Sequence, residues 1–316
     1  MALSRQTTRL LGLFLIFIAI LAMIASWRTD TLPSVDDLQG FKNNIGSLAS
    51  LAALKHKSAY EIDPPPRGFH HGAIVIAGQN KTAQWWLDSL EHNYTTYLYN
   101  IDQPGKPDSQ LPASKGHEAM VYLSFIIDHY DTLPWSMTFL HGHLQAWHQE
   151  DTAPNLIRTL NRTELALAGY ISLRCDWFPS CPSELRPFDH DGIIWGDEGL
   201  HDETEKAVAQ SWKQLFPHEK LPETLSSQCC AQFAVTRQAV WRRPKEDYER
   251  MRQWLLGTLM VDEMSGRVFE KLWAYIFTGE AVLCPAPQMC ACRYFGRCEP
   301  QTWNEPPKGL VVPDWP

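Results

Sequence analysis

No stretch of this sequence is rich in lysine and arginine, no segment repeats, no low-complexity tract interrupts it, and no cysteine occurs before Cys175. In a chain with a formal charge of −8, the lack of a basic tract argues against nucleic acid or an anionic membrane face as the main partner. The lack of repeats excludes solenoids and arrays. Long apolar runs are scarce too. The exception is residues 10–27, LLGLFLIFIAILAMIASW, eighteen residues without a charge and long enough to cross a bilayer as a helix. Arg5 and Arg9 precede it, so the positive-inside bias holds residues 1–9 in the cytoplasm and sends the rest across. A cleaved signal peptide is the competing reading, but cutting after Ala25 places Met23 where a small residue is needed. The expected organisation is a cytoplasmic tail at 1–9, a signal-anchor transmembrane helix at 10–27, a stem at 28–68, and one lumenal or extracellular domain at 69–316. The expected protein is a single-pass type II protein of the secretory pathway or cell surface.

What is present agrees with export. Acceptor sequons stand at Asn80, Asn93 and Asn161. The eight cysteines, Cys175, Cys181, Cys229, Cys230, Cys284, Cys290, Cys292 and Cys298, form an even set suited to disulfides, with the pairing left open. The run from Cys284 to Cys298 has CxC rather than CxxC at its centre and no histidine, which disfavours a zinc knuckle. With 44% hydrophobic residues and 13 tryptophans, the chain has ample material for one large core.

The stem is polar and broken by Pro33 and by Pro64, Pro65 and Pro66. Within it Leu38, Phe41, Ile45 and Leu48 recur at helical spacing, consistent with a short helix that self-associates or with a plain linker. From residue 72 the pattern alternates. Strands are expected at 73–77, 95–99, 137–141, 169–175 and 230–235, and helices at 83–90, 118–130, 244–257 and 264–278. Alternation of this kind predicts an α/β domain with a largely parallel sheet flanked by helices.

In such a sheet, ligands gather at the carboxyl ends of the strands. Lys115 and Gly116 precede a buried helix, a combination suited to a diphosphate, with an ordinary helix start and a solvated lysine as the competing reading. His141 and His143 sit two apart on a strand, with His148, Glu150 and Asp151 close behind. They offer a three-ligand metal site or a general base, unless they are surface residues of a loop. Asp189 and Asp191 form a weak DxD-like pair able to hold a divalent cation such as manganese, or a solvated turn. Glu270 lies on a helix whose Val268, Leu272 and Ile276 face the core, with Trp273 and Tyr275 beside it. It is a candidate acid or base, or a surface glutamate paired with Lys271 or Arg267.

The segments KGHEAMVYLSFIIDHYDTLP, TFLHGHLQAWHQED, GYISLRCDWFPSCPSELRP, CCAQFAVTRQAVWRRPKEDYERMRQWLL and SGRVFEKLWAYIF, with the cysteine-rich tail, carry a resemblance across about residues 72–298. They resemble a mainly fungal family of type II membrane proteins catalogued as a domain of unknown function. Lys115, Gly116, Glu118, His141, Trp147, His148, Gln232, Arg237, Arg267 and Glu270 match its pattern. His117 stands where the family has arginine, and the family fixes no histidine at His143, which shifts weight from the His141/His143 pair to His141 with His148. The layout also resembles GT-A glycosyltransferases in four features: the strand-loop start, the helix after KGxEA, the segment ending FAVTR, and a glutamate in a C-terminal helix. That resemblance implies a nucleotide-sugar donor bound near Lys115, a hydroxyl acceptor, and Glu270 or His148 as base. The alternatives are a non-catalytic binding or assembly factor and a metal-dependent hydrolase built on His141 and His148.

Overall fold

The computed structural model describes residues 72–78, 85–90, 93–101 and 111–306. The expected tail, anchor and stem, and the Asn80 sequon, lie outside the described residues. Among the described residues no helix is long and apolar enough to cross a membrane.

In chain order the strands are β1 (Gly72–Gly78), β2 (Tyr94–Asn100), β3 (Ser136–His141), β4 (Tyr170–Ser172), β5 (Ser226–Ser227), β6 (Phe233–Thr236) and β7 (Val282–Leu283). The helices are α1 (Glu118–His129), α2 (Ala153–Thr159), α3 (Arg162–Ala168), α4 (Glu198–Leu215), α5 (Arg237–Val240), α6 (Lys245–Gly257), α7 (Asp262–Thr278) and α8 (Pro287–Phe295). Five strands make the central sheet in the order β2-β1-β3-β6-β4, and β5 pairs with β7 separately. The class is α/β, as expected, but the sheet is mixed rather than largely parallel. β1 runs parallel to β2 and β3, whereas β6 is antiparallel to both β3 and β4. The chain enters β6 through Cys230 and Ala231, both with positive φ (85° and 47°), a turn that starts the strand at the end of the sheet where β1 and β3 finish.

The unbroken apolar run of β1 follows from burial on both faces. Ala73, Val75 and Ala77 join the main core under α1, α4, α6 and α7, and Ile74 and Ile76 pack with Trp86, Leu87, Leu90, Leu140 and Ile157 on the other face. Residues 85–90 were expected to finish a helix; they form turns instead, held by Leu90 N–H on Leu87 O at 2.7 Å, yet Trp86, Leu87 and Leu90 are still buried. Aromatic rings fill the main core. Tyr122 lies 4.8 Å from Phe139, Phe139 lies 5.2 Å from Phe233, and Phe233 lies 5.7 Å from Trp273, measured between centroids.

All eight cysteines pair: Cys175–Cys290, Cys181–Cys284, Cys229–Cys230 and Cys292–Cys298. The first two tie residues 175–181, after β4, to the chain around β7 and α8.

Candidate functional site

A cavity of about 470 Å³ opens at the end of the sheet where β1 and β3 finish and β6 begins. Five segments meet there. His141 ends β3, and Trp147 and His148 follow in the loop. His117 and Glu118 start α1. Cys230 and Ala231 lead into β6. Arg267, Glu270 and Lys271 project from the first half of α7. The stretch from Glu184 to Thr204 closes the remaining side with Ile193 and Trp195.

Local geometry fixes these groups. Gly116 and His117 both have positive φ (66° and 51°), so the chain turns sharply into α1 and presents Glu118 at its first turn. A Cβ at Gly116 would lie 2.5 Å from Leu255 Cδ1 of α6, and one at Gly266 of α7 would lie 3.0 Å from Gly116 O, so the turn into α1 packs closely on α6 and α7 only because both positions are glycine. Arg174 braces the other wall. Its Nη1 donates to His148 O at 2.6 Å, its Nε donates to Phe178 O at 2.9 Å, and the guanidinium lies 5.7 Å over Trp147.

The ionisable groups fall into two sets. On the α7 side, Lys271 is buried and lies 2.7 Å from Glu184 Oε1 and 3.7 Å from Glu270 Oε1, while its Nζ donates to Ser180 Oγ at 3.0 Å. Cys230 N–H donates to Glu270 Oε1 at 3.1 Å. Burial by itself would raise the Glu270 carboxyl, but Lys271, Arg267, the Cys230 N–H and His141 outweigh it and hold this carboxyl below its ordinary value. Glu184 moves the other way, because its burial exceeds what Lys271 returns. On the β3 side, burial lowers His141, opposed by Glu118 and Glu270, and pushes His148 down to about 4, with His141 and Arg174 adding to the effect. Both imidazoles are therefore neutral near pH 7. The Nε2 atoms of His141 and His148, the Nε of Arg267 and the Oε2 of Glu184 are buried without a hydrogen-bond partner. Orphaned polar atoms are rare in a protein interior, and four of them belong to residues that line this cavity.

Residues 74–293 match the family described as a protein of unknown function, DUF3431. The chain belongs to that family. A comparison with the curated proteins finds no match. The DUF3431 domain contains the whole lining of the cavity.

Within the DUF3431 domain, six of the ten positions singled out by motif face the cavity: Glu118, His141, Trp147, His148, Arg267 and Glu270. The other four do not line it. Lys115, expected beside a diphosphate, donates its Nζ to Thr258 O at the end of α6. Gly116 shapes the backbone behind His117. Gln232 is buried behind the wall and accepts from Gln149 Nε2 at 3.1 Å. Arg237 begins α5 at the far end of β6, its guanidinium 5.6 Å over Trp241. Asp189 and Asp191 are also outside the lining, on an exposed turn where both carboxylates pair with Arg186. Glu150 is turned toward the Cys175 and Asp176 N–H groups, both at 2.7 Å, and Asp151 toward Thr152 N–H at 2.7 Å. His143 is exposed. Asn93 lies in the turn before β2, and exposed Asn161 is the N-cap of α3.

Sequence reasoning assigned no role to Glu184 or Trp195, and read Lys271 only as a surface partner of Glu270. Val268, Lys271, Leu272 and Tyr275 share one helical stripe, so a lysine on a core-facing row was the available signal. Glu184 carried none, because it sits in an irregular segment whose burial depends on tertiary packing.

Proposed function

We propose that this cavity transfers a sugar from a nucleotide-sugar donor to a hydroxyl acceptor, with Glu270 as the base. The observation that carries the reading is Glu270 itself, a partly buried carboxylate kept ionised by its neighbours and facing a cavity of about 470 Å³ flanked by Trp147 and Trp195. Indole faces suit the C–H faces of a sugar ring, and a fixed carboxylate suits its hydroxyls. The four landmarks of the GT-A resemblance fall on β1, α1, β6 and α7, and three of them, α1, the entry to β6, and α7, contribute residues to the cavity.

In this reading Glu270 takes the proton of the acceptor hydroxyl as its oxygen bonds to the anomeric carbon. The bond from that carbon to the donor diphosphate breaks, and the electron pair leaves with the phosphate oxygen. Arg267, whose Nε lacks a protein partner, is placed to meet that charge, a role that Lys115 in its observed position does not fill. The neutral imidazole of His148 orients the acceptor or donor by hydrogen bonding. A metal-dependent hydrolase remains the second reading, favoured by the unpartnered Nε2 atoms of His141 and His148.

Thermal unfolding of the full chain against nucleotide sugars and nucleoside diphosphates tests the proposal, because a ligand that binds only the folded state raises the midpoint. The expected result is a shift selective for one nucleotide, lost in Arg267→Ala and kept in Lys115→Ala. No shift from folded protein across the panel would refute it.

A further inference from the structure

His148 is 7% exposed, yet its Nε2 and that of His141 have no hydrogen-bond partner, and both side chains line the cavity. Their ring centroids are 5.1 Å apart with the planes at 68°. Two imidazoles sharing one ion at metal–nitrogen distances of about 2.1 Å place their ring centres roughly 5 Å apart. Glu118 Oε1 lies 3.5 Å from His141 Nε2, too long for a strong hydrogen bond but close to the spacing of two ligands on one ion.

The charge of the cavity points the same way. Glu118, Glu184, Asp197 and Glu270 line it against only Arg267 and Lys271 as fixed cations. Four carboxylates against two cations leave an excess of two negative charges when all the acids are ionised. A donor diphosphate would add to that excess.

We propose that the cavity binds one divalent transition-metal ion between His141 Nε2 and His148 Nε2, with the Glu118 carboxylate as third ligand and water or substrate completing the shell. Imidazole and carboxylate donors suit zinc, manganese or ferrous iron. Glu118 is partly exposed. A shift of these side chains is required, because His141, His148 and Glu118 do not yet bring three donor atoms within 4.8 Å of one another. Cys229, Cys230 and Glu270 do meet that spacing, but the two sulfurs are joined to each other and offer no thiolate. The site goes beyond the transferase reading, since an ion on these imidazoles needs no sugar substrate. Where transfer occurs, the ion offsets the excess negative charge before a diphosphate enters.

The test is stoichiometric uptake by the tag-free full chain, stripped with EDTA and dialysed against zinc or cobalt(II), with no nucleotide present. Bound metal is measured by mass spectrometry, and cobalt coordination by its visible absorption. The expected result is about one ion per chain, falling at least tenfold in both His141→Ala and His148→Ala and unchanged in His143→Ala. His141→Gln and His148→Gln, which better preserve side-chain volume, replace the alanine variants if near-ultraviolet circular dichroism shows those to be unfolded. Folded wild-type protein that retains no stoichiometric ion, or histidine variants that retain it as well as wild type, would overturn the site. Because no sugar nucleotide is used, this failure is separate from failure of the transferase reading.

Discussion

Lys271 shares a helical stripe with Val268, Leu272 and Tyr275, and its ammonium is buried between two carboxylates. Glu184 and Glu270 outweigh its burial and keep it charged. Removing one member of such a set leaves uncompensated buried charge, which typically costs about 3–5 kcal/mol. Lys271→Ala should therefore lower the urea midpoint by that equivalent, and adding Glu184→Gln should restore part of the loss. Independent, additive losses would show that the two side chains are not coupled. Glu219 tests a different, half-buried group. Arg243 donates to it at 2.6 Å and 3.2 Å, and Tyr275 OH donates at 2.5 Å. Burial opposes these bonds, but together they hold its carboxyl below the ordinary 4.5. A carboxyl depressed in the folded state adds stability above its unfolded value and loses it as pH falls through the folded value. The difference in Tm between wild type and Glu219→Gln should thus be greatest near neutrality and shrink as pH drops below about 4.5. A difference independent of pH would contradict this assignment.

At the scale of elements, Asn161 belongs to two readings at once, a sequon and a helix cap. Its Oδ1 accepts from Thr163 N–H at 3.1 Å and Glu164 N–H at 3.3 Å, and its Nδ2 donates to Arg293 O at 3.3 Å. Asn161→Ala should destabilise by about 1 kcal/mol while Asn161→Asp, which keeps a capping oxygen, costs only a few tenths. Equal losses in a denaturation series would show that the cap contributes nothing. The elements legible in the sequence were those whose pattern runs for many residues or whose faces are both buried: β1, β2, β3, α1, α6 and α7. The seven-residue α2 and α3 escaped because neither is long enough to show a period. α4 escaped for another reason. Its mean polarity is high, and its buried Thr204, Val208, Ser211 and Leu215 include two hydroxyl residues that blur the stripe. The strand expected at 230–235 starts later because the adjacent Cys229–Cys230 pair and the positive φ at Cys230 and Ala231 hold that segment in a turn.

For the molecule as a whole, the Cys175–Cys290 and Cys181–Cys284 links, spanning 115 and 103 residues, fasten the wall of the cavity to the C-terminal helix region. Loss of a native disulfide commonly costs about 2–5 kcal/mol. Cys181→Ala with Cys284→Ala should show that loss in denaturant and should also weaken any ligand-induced shift, since Glu184 and Trp195 lie beyond Cys181 on the same wall. An unchanged midpoint would mean that packing alone holds the wall. The even cysteine count was readable from the sequence, but the pairing was not, because it depends on where β4, β7 and α8 meet. The same distinction divides the site. Motif residues on β3, α1 and α7 converged, whereas Lys115 and Arg237 were drawn to Thr258 and Trp241 by contacts that no local pattern encodes.

The central claim is that Glu270 takes a proton from an acceptor during sugar transfer, and the direct measurement is nucleoside diphosphate released from a panel of nucleotide sugars by wild type and Glu270→Gln. The account predicts acceptor-dependent release from one donor, reduced by about 10²–10⁴-fold in the variant while thermal stability is retained. Release that survives the substitution unchanged, or no release from any donor by folded wild-type protein, would contradict it.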